Sequence, residues 1–333
     1  MSTTNIKENL NTLFQQEHLS KEAAKDILSA VGRGEVNEFQ TAALLTCFQM
    51  RSVTGEELAG FREAMIELAL PIDLSDMDTI DIVGTGGDGK DTFNISTTSS
   101  LVVAGAGYKV AKHGNVGVSS ICGSSNVLEH LGYKMTNEPD ELRAYLDRAN
   151  FCHMHAPLFH PAMKHVGAIR RGMKVKTFFN MLGPLLNPSR PKRQLVGVYA
   201  ESLLPLFKTV FEDMGIEYKV IFAEDGYDEI SLTGPFQVRS NQFDGTVTPA
   251  DLGYQALDQA ALHGGSTIPE SAKILVSILE GSGTTAQHQV VCANAGHAIQ
   301  CFKPTASMDD CIAEADHAIR SGEAIKMLKN LVG

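Results

Sequence analysis

Four glycines, Gly84, Gly86, Gly87 and Gly89, follow the short apolar run Ile80, Ile82, Val83. Asn94, Ser96 and Thr97 come directly after them, and Lys112, His113 and Asn115 close the next apolar run. Glycines without a Cβ let a loop curl tightly and turn its N–H groups towards an anion. Hydroxyl and amide side chains at a helix start sit beside free N–H groups and a positive dipole end, both of which favour phosphate. A lysine at the carboxyl end of a neighbouring strand lies where open α/β sheets bind ligands. The chemistry implied is the holding of a small molecule that carries several phosphates.

Two common motifs overlap this stretch and do not fit it. Gly84, Gly86 and Gly89 satisfy GxGxxG, but a dinucleotide site wants an acidic residue after the second strand, and here that strand runs into Lys112–His113. Gly84 to Lys90 satisfies GxxxxGK, but Asp91 stands where a Walker loop needs Ser or Thr for magnesium. The plain alternative is a glycine turn with no ligand.

Further along, Asp225, Asp228 and Glu229 lie just past the apolar run KVIFA. An isolated DxxDE is usually a solvated turn. Beside a phosphate loop in the same sheet it can hold Mg²⁺, which takes one or two carboxylates plus substrate phosphates. Lys164, Arg170, Arg171, Lys174 and Lys176 cluster at the end of a helical segment. There they either complement the helix dipole or bind a carboxylate through an arginine fork. His153, His155, His160 and His165 read as packing or pocket lining, because no carboxylate or cysteine completes a metal set. No nucleophile–base arrangement is legible, so no general base is assigned.

The elements that must position these groups fall into two regions. Up to about Leu70 the chain reads as helix after helix, including a Thr54/Glu57 capping box, and no strand pattern interrupts it. From Thr79 strands alternate with helices: strands at 79–83, 108–111, 151–155, 195–199 and 219–223, and helical segments at 124–131, 139–149, 161–171 and 203–214, the third ending at Gly172. Amphipathic segments at 271–279, 286–298 and 308–328 complete the chain. Alternation of this kind implies a mainly parallel sheet with helices on its faces.

Composition agrees with a globular α/β protein: 43% hydrophobic and 20% charged residues, with a formal charge of −11 that argues against a nucleic-acid binder. The six cysteines form no CxxC pair and suit a reduced interior. With no signal-peptide pattern and no apolar run long enough to span a bilayer, the expectation is a cytoplasmic protein without membrane contact.

Six blocks in this order resemble the anthranilate phosphoribosyltransferase family: GTGGD (Gly84 to Asp88), NIST (Asn94 to Thr97), KHGN (Lys112 to Asn115), VSS then GSS (Val118 to Ser120, Gly123 to Ser125), TFFNMLGPLLNP (Thr177 to Pro188) and DGYDEIS (Asp225 to Ser231). Each block is modest alone; six in register are specific. The resemblance implies transfer of the 5-phosphoribosyl group from phosphoribosyl pyrophosphate to the amine of anthranilate, giving N-(5-phosphoribosyl)anthranilate and pyrophosphate in tryptophan biosynthesis. It implies a helical domain over residues 1–70, with a contribution from about 165–190, packed on a larger α/β domain over 75–333. It also implies a homodimer formed through the helical domain. Gly84, Gly87, Asp88, Thr92, Asn94, Ile95, Ser96, Thr97, Lys112, Ser120 and Ser124 would bind phosphoribosyl pyrophosphate. Gly84, Asn115 and Arg170 would meet anthranilate, and Ser96, Asp228 and Glu229 would hold Mg²⁺, as two ions. Many members have Arg where this chain has Val116 and again where it has Lys176.

Two other readings share the architecture. A pyrimidine nucleoside phosphorylase carries a long glycine- and arginine-rich signature that this chain lacks. A nucleic-acid-binding relative would be strongly basic, against the −11 found here.

Overall fold

The computed structural model describes residues 5–117 and 121–333. The chain divides into two compact units: Met1–Ile72 with Pro157–Pro188, and Asp73–Ala156 with Ser189–Gly333.

The first unit is helical. Helices Ile6–Phe14, Lys21–Gly32, Glu38–Met50 and Gly55–Glu67 are joined from mid-chain by Met163–Met173 and the short Phe179–Leu182. Thr54 and Glu57 form the expected capping box. Glu57 is buried and accepts from the N–H of Leu19 at 2.9 Å and from Arg51, so one carboxylate fixes the entry to two helices. Phe178 stacks on Phe61 at 4.4 Å and meets Phe48 edge-on at 5.3 Å, which ties the mid-chain segment into this core. The mid-chain helix runs two residues past the expected stop, through Gly172 to Met173. Lys174 ends it in the left-handed conformation (φ 55°).

The second unit is built on one seven-stranded sheet: β1 (Thr79–Gly84), β2 (Lys109–Gly114), β3 (Phe151–His155), β4 (Arg193–Gly197), β5 (Glu217–Ala223), β6 (Phe236–Ser240) and β7 (Asp244–Val247), in the order β3-β2-β1-β4-β5-β6-β7. The first five strands are parallel. β6 and β7 form an antiparallel hairpin on the β5 edge that the sequence reading did not anticipate. Its short strands alternate, with Phe236, Val238 and Ser240 facing inwards, and Ser240 Oγ accepts the Phe243 N–H at 2.9 Å to close the turn. The chain from β1 crosses to β2 on one side, and β4 lies on the other. The strand order therefore reverses beside β1, which opens a crevice at the carboxyl ends of β1 and β4.

Helix Ile95–Gly105 follows the glycine loop and is buried along almost its whole length. A Cβ on Gly105 would come within 2.7 Å of the Ala324 backbone, so glycine permits close packing against helix Glu323–Val332. The single amphipathic stretch expected over 308–328 is two helices, Met308–Arg320 and Glu323–Val332, separated at Gly322 (φ 79°). Among the described residues no helix is long and apolar enough to cross a membrane.

Candidate active site

β1 and β4 end side by side, with Gly84 and Gly197 as register partners. The segment after β5 folds back over both. A Cβ on Gly84 would fall on the Asp228 carboxylate, 2.8 Å from Cγ, and one on Gly197 would fall on the Asp228 carbonyl oxygen. The two strand ends must lack side chains for Asp228 to lie where it does. Asn294 fixes the next residue but one, accepting the Ile230 N–H at 3.1 Å and donating to the Ile230 carbonyl at 2.9 Å.

The carboxylates then reach the groups expected to meet phosphate. Asp228 Oδ2 accepts the Gly86 N–H at 2.6 Å, and Glu229 Oε1 accepts the Ser96 N–H at the start of helix Ile95–Gly105, at 2.9 Å. Gly86, Gly87 and Gly89 all have positive φ (68°, 76° and 73°), the conformation in which a side chain is strained. The space left between β1, β4, Ser96, Asp228 and Glu229 is about 10 Å³, room for roughly one water. In this structure the acids themselves cover the loop amides.

Buried acids this close do not ionise freely. Burial, and then the Asp88 carboxylate beside it, push Asp228 up to about 7 from its usual 3.8. Burial and then Asp228 raise Glu229 well above the ordinary glutamate range, and burial raises Asp88. Lys112 is one nearby cation, with Lys90 acting on Asp88. Only 1% exposed, Lys112 donates to the Ile82 carbonyl in β1 and feels Asp81, Glu229 and Asp228, while burial lowers its pKa. Asp81 Oδ1 in turn accepts the His113 N–H at 3.2 Å. Hard carboxylate oxygens with one hydroxyl, Ser96, beside them suit a divalent cation bound by oxygen, and the raised acids mark a cluster short of positive charge.

Comparison with known proteins fits this geometry. Residues 76–325 match the family model described as "Glycosyl transferase family, a/b domain", and residues 7–69 match "Glycosyl transferase family, helical bundle domain". An anthranilate phosphoribosyltransferase of Cytophaga hutchinsonii is 50% identical over 98% of this chain and 100% of its own. The chain belongs to the anthranilate phosphoribosyltransferase family. Among solved structures, the family member from Thermus thermophilus superposes with a TM-score of 0.92 at 33% identity, covering 97% of this chain and 98% of that one. The Saccharomyces cerevisiae enzyme, solved in complex with phosphoribosyl pyrophosphate and Mg, gives 0.91 at 25% identity, covering 99% and 98%. A helical bundle followed by a mainly parallel α/β domain, as expected from the sequence, is the architecture of this family.

Of the residues proposed from the sequence, the structure brings Gly84, Asp88, Ser96, Lys112, Asp228 and Glu229 into one cluster. Asn115 and Ser124 form a second group. Asn115 is exposed, and its carbonyl accepts from Ser124 Oγ at 3.3 Å. Thr92 pairs with His263 in an isolated antiparallel bridge. Arg170 belongs to the helical unit, where its guanidinium lies 5.1 Å from the Phe179 ring and 3.4 Å from Asn180 Oδ1. Ser120 lies outside the described residues.

Several expectations need correcting. Lys112 and His113 are not at the end of β2 but within it, because the strand runs on to Gly114; both are buried. The Asn94 side chain does not cap the helix: its Nδ2 donates to the Cys122 carbonyl at 2.8 Å, and Glu229 serves the helix start instead. The Ile95 and Thr97 side chains are buried, and the Ile95 N–H is turned to the Phe93 carbonyl at 2.6 Å. Asp225 is drawn aside by Thr233. The histidines, by contrast, stand as expected, as packing groups: His153 and His155 each meet Ser125 Oγ at 2.9 Å. One trio among the described residues does approach metal-binding spacing, His288, Cys292 and Asp316. It is held as a clamp, with His288 2.7 Å from one Asp316 oxygen and Arg320 2.7 Å from the other.

Gly197, Asp81 and Asn294 were missed. Gly197 had a signal, a glycine ending the apolar run QLVG like Gly84 ending TIDIVG. Asn294 had none, since it sits in an ordinary helix 64 residues from its partner.

Proposed function

We propose that this chain transfers the 5-phosphoribosyl group of phosphoribosyl pyrophosphate to the amine of anthranilate, releasing pyrophosphate. The observation that carries the reading is the pair of side-chain-free strand ends, Gly84 and Gly197, with Asp228–Glu229 folded over them onto the loop and helix amides. Family membership supplies the substrates.

In this reading Asp228, Glu229 and Ser96 would hold Mg²⁺, as two ions, which would supply positive charge for the departing pyrophosphate. The Gly86 and Ser96 N–H groups, given up by the carboxylates, bind the phosphate oxygens, with Gly84, Gly87, Asp88, Thr92, Asn94, Lys112, Ser120 and Ser124 contributing side-chain or backbone contacts and Thr97 a backbone one. Gly84, Asn115 and Arg170 receive anthranilate. Positive charge builds on the ribose as the leaving group departs, so the protein's share is positioning and charge balance. An aromatic amine is neutral at pH 7 and needs no strong base. A homodimer formed through the helical domain is consistent with exposed Phe39 (79%) and Met50 (73%) in helix Glu38–Met50.

Mixing the protein with anthranilate, phosphoribosyl pyrophosphate and Mg²⁺ should consume anthranilate fluorescence with matching release of pyrophosphate. Phosphorolysis of a pyrimidine nucleoside, with no loss of anthranilate, would replace this reading by the phosphorylase one.

A further inference from the structure

A second cavity, about 320 Å³, lies in the α/β unit between the β5–β6–β7 edge and the end of helix Thr285–Gln300. That is the lower end of the range for small-molecule sites. Lys219, on its wall, pairs with Leu195 of β4 and Ser240 of β6. It stands four residues before the end of β5, about 13 Å back along the strand from the carboxyl-end crevice. The other walls mix apolar side chains, Val238, Phe243, Leu252 and Met308 among them, with the polar Ser240, Gln242 and Asp251.

Lys219 is 6% exposed and, among the described residues, has no carboxylate partner. Its ammonium meets Gln300 Oε1 and, at 3.4 Å, His297 Nδ1. Those two acceptors leave its third N–H without one among the described residues. Because Nδ1 accepts, the His297 proton sits on Nε2, which is buried and, among the described residues, has no hydrogen-bond partner. One acid, Asp251, lines the cavity itself, and it and the other acids near the cavity are already engaged. Asp251 caps Thr248 at 2.8 Å, Asp244 pairs with Lys208 at 2.5 Å, and Glu217 accepts from Gln242 at 3.0 Å. A buried ammonium without a counter-charge is costly, and lysine is normally buried only when paired. A partly apolar wall with one cationic point, Lys219, and one carboxylate already engaged, Asp251, matches an amphipathic monoanion better than a phosphate, whose second charge would have nothing to meet.

We propose that this cavity is a binding site for a small monocarboxylate with an apolar body, its carboxylate on Lys219 and its hydrocarbon against Val238, Phe243 and Leu252.

The test uses hexanoate as probe and hexanol as its uncharged counterpart, with binding to the full chain followed by calorimetry under saturating anthranilate, pyrophosphate and Mg²⁺, a pair that cannot react, so that the transfer site is filled without turnover. Hexanoate should bind at millimolar concentrations and hexanol about 10-fold more weakly, the loss of one charge-assisted hydrogen bond. Lys219→Met should erase the preference for the acid. Val247→Trp, which narrows the cavity from β7 and leaves the lysine in place, should lose both ligands, and it keeps the proposal testable if Lys219→Met misfolds. Equal affinity for hexanoate and hexanol, undiminished hexanoate binding by Lys219→Met, or no binding to the unaltered protein would overturn it.

Discussion

Two lysines are buried in the same sheet, and their surroundings differ in one respect. Lys112, in β2, sits among Asp81, Asp228 and Glu229, whereas Lys219, in β5, has only a glutamine and a neutral histidine. At Lys112 acid outweighs base, so the cluster is short of positive charge and suits a cation that brings its own phosphates. At Lys219 the imbalance has the opposite sign, and the missing partner is an anion. Burial is common to both; the neighbouring charges decide what each end of the sheet can hold.

The largest change should follow from removing the acids at the first lysine. Asp228→Asn with Glu229→Gln should lower transfer by about 10³-fold or more, since both metal neutralisation and positioning are lost. Unchanged turnover across a magnesium titration would dismiss the assignment. The same variant has a signature in pH. The native state holds the Asp228 proton up to about 7, against an ordinary 3.8. That contribution to stability is full below about pH 4 and lost as pH rises through 7. Metal-free thermal unfolding of the unaltered protein should therefore weaken across this window, while the variant's profile is flatter.

The comparison between the lysines can be broken directly. Lys112→Met strips a buried cation from its acids and should cost about 3–5 kcal/mol at pH 8, whereas Lys219→Met, which removes an unpaired cation, should be neutral or stabilising. Chemical denaturation of the two variants side by side decides it. Equal losses would mean that packing of the lysine stems, and not charge, governs both sites.

Gly197→Ala sharpens the geometric side, because it leaves every charged group intact. Its Cβ would meet the Asp228 carbonyl and push the acidic segment off the strand ends. A displacement of this order can cost about 10²-fold in turnover. An alanine variant with full activity would show that Asp228 need not lie where it does.

Arg170→Ala tests whether the acceptor's carboxylate is read from the helical unit instead of by a lysine. The KM for anthranilate should rise about 10- to 150-fold, the equivalent of roughly 1.5–3 kcal/mol, with the KM for phosphoribosyl pyrophosphate within a few-fold. Arg170→Lys should recover part, because an ammonium cannot make the planar fork. A fall in stability alone would assign Arg170 to its contacts with Asn180 and Phe179.

Local pattern carried much of this protein into view. The apolar run ended by glycine, the capping box at Thr54 and Glu57, and the alternation of strand and helix are all short-range, and each set its element without help from the rest of the chain. The hairpin β6–β7 escaped because FQVRS and DGTV hold too few apolar residues to stand out as runs. What the tertiary structure alone decided was pairing between distant residues. Gly84 and Gly197 become neighbours only through sheet register. Asp228 meets Gly86 from 142 positions away, and Glu229 meets Ser96 from 133. Burial, which turns those carboxylates from a solvated turn into a cluster that resists ionisation, is a property of the assembled core. A single sequence shows that acids and glycines are present; only folding removes the water between them.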